Sequence, residues 1–98
     1  MTIEAATNAI RAKVGDSSGL GATVKFDCGD DGVVMVDGAS TPNTVTNDNN
    51  DADCTVVLDL DVLGDLISGD LDPTAAFMQG KLKVEGDMGI AMKLGSIL

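Results

Sequence analysis

The stretch Asp72–Leu98, DPTAAFMQGKLKVEGDMGIAMKLGSIL, carries a start or stop signal at every joint of a helix–strand–helix unit. Asp72-Pro73 is a helix start: aspartate accepts backbone N–H bonds at the N-cap, and proline fits the first helical position. Gly80 ends that helix, as a glycine past the last turn does. Leu82 and Val84 then alternate with Lys81, Lys83 and Glu85, which predicts a strand with one apolar and one charged face. Gly86-Asp87 turns the chain, and Asp87 is placed to cap a last helix. That helix carries Met88, Ala91 and Met92 on one side and Ile90, Leu94 and Ile97 towards another. So wide an apolar arc predicts burial on more than one side, against the sheet and against either core or an apolar ligand.

Upstream, Cys54–Leu60 reads as a strand with Cys54, Val56, Leu58 and Leu60 on one face. Asp61 then caps a helix whose apolar face is Val62, Leu63, Leu66 and Ile67, ended by Gly69. Ala22–Cys28 alternates, with Val24, Phe26 and Cys28 inward. Gly29–Gly32 is a hairpin turn and Val33–Val36 the returning strand. Thr44–Thr46 is a short edge strand before the polar loop Asn47–Asp51. Residues 2–14 form an amphipathic helix with Thr2 as cap, Glu4 in the first turn, and Arg11 and Lys13 in the last. Its inner face is Ile3, Ala6, Ala9/Ile10 and Lys13/Val14, and Gly15–Gly19 breaks it. The order predicts an α+β fold with a five-stranded mixed, mostly antiparallel sheet and helices covering one face, in one domain spanning 1–98.

Charge and composition exclude several function classes. Sixteen acidic and six basic residues give −10, and there is no His, Trp or Tyr. Bulk charge of this sign repels nucleic acid and anionic membrane. Without His there is no imidazole base or His-based triad. Gly19-Leu20-Gly21 begins like a dinucleotide loop, but Val24 replaces the third glycine and a strand follows where a helix is needed. Asn49, Asp51 and Asp53 have a calcium-like spacing, but Cys54 stands at the glycine position and Leu60 at the glutamate position, so the EF-hand fails. Cys28 and Cys54 read as small buried hydrophobes in strands. Neither a signal peptide nor an apolar run long enough to span a bilayer is evident, so a cytoplasmic protein without stable membrane insertion is expected. No cofactor and no metal are expected.

The apolar residues Leu63, Leu66, Ile67, Phe77, Met78, Leu82, Val84, Met88 and Met92 fall on inner faces of the last four elements. On spacing alone they read as an ordinary core, with the lining of a pocket as the alternative. Three of the five methionines are in this group, and Met adapts to irregular shapes. Gln79 is the one uncharged polar residue of long reach between helix and strand.

The run Phe77-Met78-Gln79-Gly80-Lys81-Leu82-Lys83-Val84-Glu85-Gly86-Asp87-Met88-Gly89-Ile90-Ala91-Met92-Lys93-Leu94 resembles the C-terminal signature of the sterol carrier protein type 2 domain. Ala52-Asp53-Cys54-Thr55 and Asp72-Pro73 stand where that family has similar residues. The resemblance covers residues 20–94 and is dense from 52 onward. It implies a small α/β domain that binds and transfers lipid, without catalysis, in an apolar tunnel. Fatty acids, fatty acyl-CoA and sterols are the implied ligands. It also implies that Gln79 faces the cavity, bonding a ligand polar group while aliphatic chains replace water. Ten buried CH₂ groups would then supply ~8 kcal/mol before association costs. Longer members continue past the last helix, whereas this chain ends Ser96-Ile97-Leu98, without a Ser-Lys-Leu tripeptide. Either the pocket is then more open, or Ile97 and Leu98 fold inward or form a homodimer contact. The alternatives are an interaction module with a filled core, and an accessory domain beside a lipid-metabolising enzyme.

Overall fold

The computed structural model describes residues 2–15, 21–40 and 42–93. Among these residues ten elements are regular: α1 (Ile3–Val14), β1 (Thr23–Asp27), a 3-10 turn (Gly29–Asp31), β2 (Val33–Asp37), β3 (Thr44–Thr46), β4 (Cys54–Leu58), α2 (Leu60–Ser68), α3 (Pro73–Met78), β5 (Leu82–Gly86) and α4 (Met88–Met92). The five strands form one sheet in the order β3-β2-β1-β4-β5. The β1–β4 pairing is parallel and the other three are antiparallel. This is the α+β architecture expected from the order of elements.

The registers place apolar side chains in rows across one face. Val45, Val36, Val24 and Cys54 stand side by side, as do Val34, Phe26, Val56 and Val84, with Leu58 opposite Leu82. The intervening positions include Lys25, Asp27, Thr55, Lys83 and Glu85, so the second face is largely polar. Ala6, Ile10 and Val14 of α1, Leu63, Leu66 and Ile67 of α2, Ala76 of α3 and Ile90 of α4 join the apolar rows in one core. The helices thus all serve the same face of the sheet, because only that face offers apolar area to bury. Met35 departs from the pattern: it is buried although it pairs with Lys25 and Thr46 on the polar face.

Local signals were realised at α1, α3 and α4. Thr2 Oγ1 accepts the Ala5 N–H at 3.1 Å, Asp72 Oδ1 the Thr74 N–H at 3.0 Å, and Asp87 Oδ1 the Gly89 N–H at 2.8 Å. Two long-range bonds dock α1 on the sheet edge. The Arg11 guanidinium donates to the Val45 carbonyl at 2.8 Å, and the Asn47 amide donates to Thr7 Oγ1 at 2.8 Å.

One expectation is corrected. The fourth strand stops at Leu58, not Leu60, and α2 starts at Leu60 with Asp59 in the N-cap position, so Asp61 lies in its first turn. The physical reason is pairing: Leu58 opposite Leu82 is the last rung of the β4–β5 ladder, and nothing remains beyond it to hold Leu60 extended. Over its described residues Met88–Met92 the last helix meets the core on one side, through Ile90, and leaves its methionine side uncovered by protein. Among its described residues only Ile90 is buried, while Met88 is 48% and Met92 83% exposed. The break at Asp16–Gly19 and the positions Leu94, Ile97 and Leu98 lie outside the described residues.

Candidate functional site

Beyond the core, three elements leave an apolar groove open. α3 supplies Pro73, Thr74 and Phe77, β5 supplies Leu82 and Val84 as the floor, and α4 supplies Met88, Ala91 and Met92. The cavity measures about 210 Å³. The positions on each helix follow helical spacing: 73, 74 and 77 share one face of α3, and 88, 91 and 92 share one face of α4. Strand alternation aims Leu82 and Val84 to the same side. Gly80, at φ +73°, and Gly86, at φ +95°, make the reversals that bring α3 and α4 over the strand between them.

Thr74 is the one polar side chain of that lining among the described residues. Two carboxylates sit at the starts of the helices, Asp72 before Pro73 and Asp87 before Met88. Each accepts a backbone N–H of its own helix, which partly offsets its charge through the helix dipole. Phe77, Met88 and Met92 are each about half exposed or more, so the groove opens to solvent. Such a site can take apolar matter by excluding water. Among the described residues it offers no nucleophile–base pair and no group of metal ligands.

A family model described as the SCP-2 sterol transfer family matches residues 3–98. The chain belongs to this family. It is 45% identical over 56 residues to sterol carrier protein 2 of Bos taurus, a match covering 56% of this chain and 10% of that protein. It is 54% identical over 46 residues to hydroxysteroid dehydrogenase-like protein 2 of Xenopus tropicalis, covering 44% of this chain and 11% of that protein. The chain thus spans about a tenth of the length of the curated relatives it matches. Among solved structures, it is similar to sterol carrier protein 2 from Yarrowia lipolytica in its apo form, with TM-score 0.76, 25% identity, and coverage of 93% of this chain and 84% of that one. Membership in a sterol transfer family supports lipid binding or transfer in general terms. No helix among the described residues is long and apolar enough to cross a membrane.

In this SCP-2 domain the sequence-derived candidates separate into three groups. Phe77, Leu82, Val84, Met88 and Met92 come together in the groove. Leu63, Leu66 and Ile67 do not. They are buried in the core beneath α2, because that face of the helix packs on α1 and the sheet. Met78 and Gln79 also stand apart from the lining. Met78 is 80% exposed, and Gln79 is the exposed C-cap residue of α3, its N–H donating to the Ala75 carbonyl at 2.9 Å. A six-residue helix presents one face to the strand, and positions 78 and 79 fall off it. Pro73, Thr74 and Ala91 were missed as site residues. The signal was available, since Ala91 shares the Met88–Met92 face and Pro73 and Thr74 lie four and three residues before Phe77.

Proposed function

We propose that the groove between α3, β5 and α4 binds the aliphatic chain of a lipid, and that the domain is a non-enzymatic lipid carrier. The observation that carries this reading is the open cavity of about 210 Å³ with Thr74 as its single polar side chain among the described residues. That is about seven times the ~30 Å³ share of a liquid water, enough for a segment of alkyl chain. It is below the ~300–1,000 Å³ of sites for drug-sized ligands, so a rigid polycyclic sterol needs the groove to widen. Burial of seven methylene groups supplies ~6 kcal/mol before association costs. Affinity weaker than micromolar follows unless more of the chain is covered.

The acidic surface selects the head group. Asp72 and Asp87 flank the groove on a protein of net charge −10, which disfavours the multiple phosphates of acyl-CoA. An uncharged or singly charged acyl lipid fits best. A second reading, a lipid-presenting module beside an enzyme, draws support from the resemblance to a dehydrogenase-like protein that carries a related segment.

The test is native mass spectrometry of the purified chain before and after incubation with fatty acids, fatty alcohols, acyl-CoAs and sterols. An acyl lipid should bind, and Met88→Glu or Met92→Glu should abolish the adduct, since both side chains are exposed and the fold tolerates them. Gln79→Ala should leave it intact. A protein that stays bare with every class sinks the reading, and loss of the adduct in Gln79→Ala alone would return the polar anchor to that residue.

A further inference from the structure

Among the described residues β5 is an edge strand, paired on one side with β4. An edge presents backbone N–H and C=O groups that another strand can pair with. The direction of those groups follows from one bond: the Asp87 N–H donates to the Asp53 carbonyl at 3.0 Å. Backbone groups alternate in direction along a strand, so Lys83 and Glu85 turn theirs to β4, and Leu82 and Val84 turn theirs to the open edge.

The side chains along this edge read Lys81, Leu82, Lys83, Val84, Glu85, Gly86, Asp87. About Val84 the charges are antisymmetric. From this pattern we infer that β5 is a homodimer edge, which pairs antiparallel with β5 of a second copy about a two-fold axis at Val84. Val84 then meets its equivalent as a hydrogen-bonded pair. Lys83 faces Glu85 of the other copy in the non-hydrogen-bonded pairs, where side chains approach most closely. Lys81 faces Asp87 in the same way. Within its own sheet neither Lys83 nor Glu85 has a charged residue opposite, since Val57 and Thr55 hold those places on β4.

Other registers fail. Centring on Leu82 sets Lys81 against Lys83, and centring on Gly86 sets Glu85 against Asp87. Parallel in-register pairing sets every charge against itself. Like charges directly opposite are destabilising, so one arrangement is selected and the others are resisted. Long-range charge points the same way. Residues 1–73 hold fourteen acidic and three basic residues, whereas residues 74–98 hold three lysines and two acids. Two copies therefore repel least when they approach through the β5 side. The two-fold axis lies perpendicular to the sheet, so both helix layers and both grooves fall on one side of a continuous sheet. The inference does not depend on what the groove binds.

Sedimentation velocity of the full chain over a concentration series tests it. The wild type should dimerise, less so as salt screens the exposed pairs. Lys83→Glu and Glu85→Lys should each weaken the dimer at least about tenfold, because each turns two attractive pairs into repulsive ones. Mixing the two variants should restore association as a heterodimer, one strand carrying acids at both 83 and 85 and the other bases at both. Circular dichroism checks that each variant is folded, as expected for exposed positions. A wild type that is monomeric at every concentration overturns the inference, and the edge lysines then guard against strand pairing. A dimer indifferent to both substitutions, or a mixture no more associated than its components, overturns it as well.

Discussion

Cys28 shows how a side chain acquires properties its identity does not carry. The inward alternation of β1 carries it, just past the strand, into the core. Burial pushes its thiol up to about 11, with the carboxylates of Asp31, Asp27 and Asp59 adding to the effect. The Cys54 thiol is also raised, by burial and then by Asp87. A raised acid favours the neutral form in the folded state, so its contribution to stability is full below the unfolded thiol value and is lost as pH climbs towards 11. Cys28→Ala should therefore flatten part of the alkaline fall in melting temperature above about pH 9. An unchanged alkaline slope in that variant would remove Cys28 as a cause. Asp37 shifts the opposite way. The Ser40 hydroxyl donates to it at 2.9 Å and holds its carboxyl below the usual range. The caps at Asp72 and Asp87 were legible in the sequence because a cap is decided by the residue and its next two or three neighbours. Gln79 was not, because its exposure depends on where α3 lies over β5.

The joint between β5 and α4 decides the groove. Gly86 sits at φ +95°, and a Cβ there would stand 2.5 Å from the Asp53 carbonyl oxygen. That oxygen accepts the Asp87 N–H, so the close approach and the turn into α4 are one feature. Gly86→Ala should destabilise the fold by on the order of 2–3 kcal/mol and lower the urea midpoint accordingly. A midpoint unchanged from wild type would mean that the turn relaxes without cost. α2 is the contrasting element. Its apolar face follows the sequence pattern, yet Leu63, Leu66 and Ile67 belong to the core. Leu60 fits both a strand alternating from Cys54 and a helix shared with Leu63 and Ile67. Only the end of the β4–β5 ladder chooses between them.

At the scale of the whole molecule, charge opposes compaction. Net charge −10 on 98 residues makes folding work against self-repulsion. At protein concentrations too low for association, melting temperature should rise by a few degrees as salt shortens the Debye length from ~10 Å towards ~3 Å. A fall with salt would show that specific ion pairs outweigh the repulsion. The sequence by itself determined the order of the elements, most of their caps and the single apolar face of the sheet. Each follows from periodicity and from neighbours a few residues away. Tertiary structure decided which apolar faces meet one another and which stay open. Leu63 and Phe77 carry the same kind of signal, yet one is fully buried and the other 46% exposed. The hydrophobic effect has no direction, so sequence marks a face for burial without naming what will cover it. The placement of α3 and α4 over an edge strand left one such face as a groove.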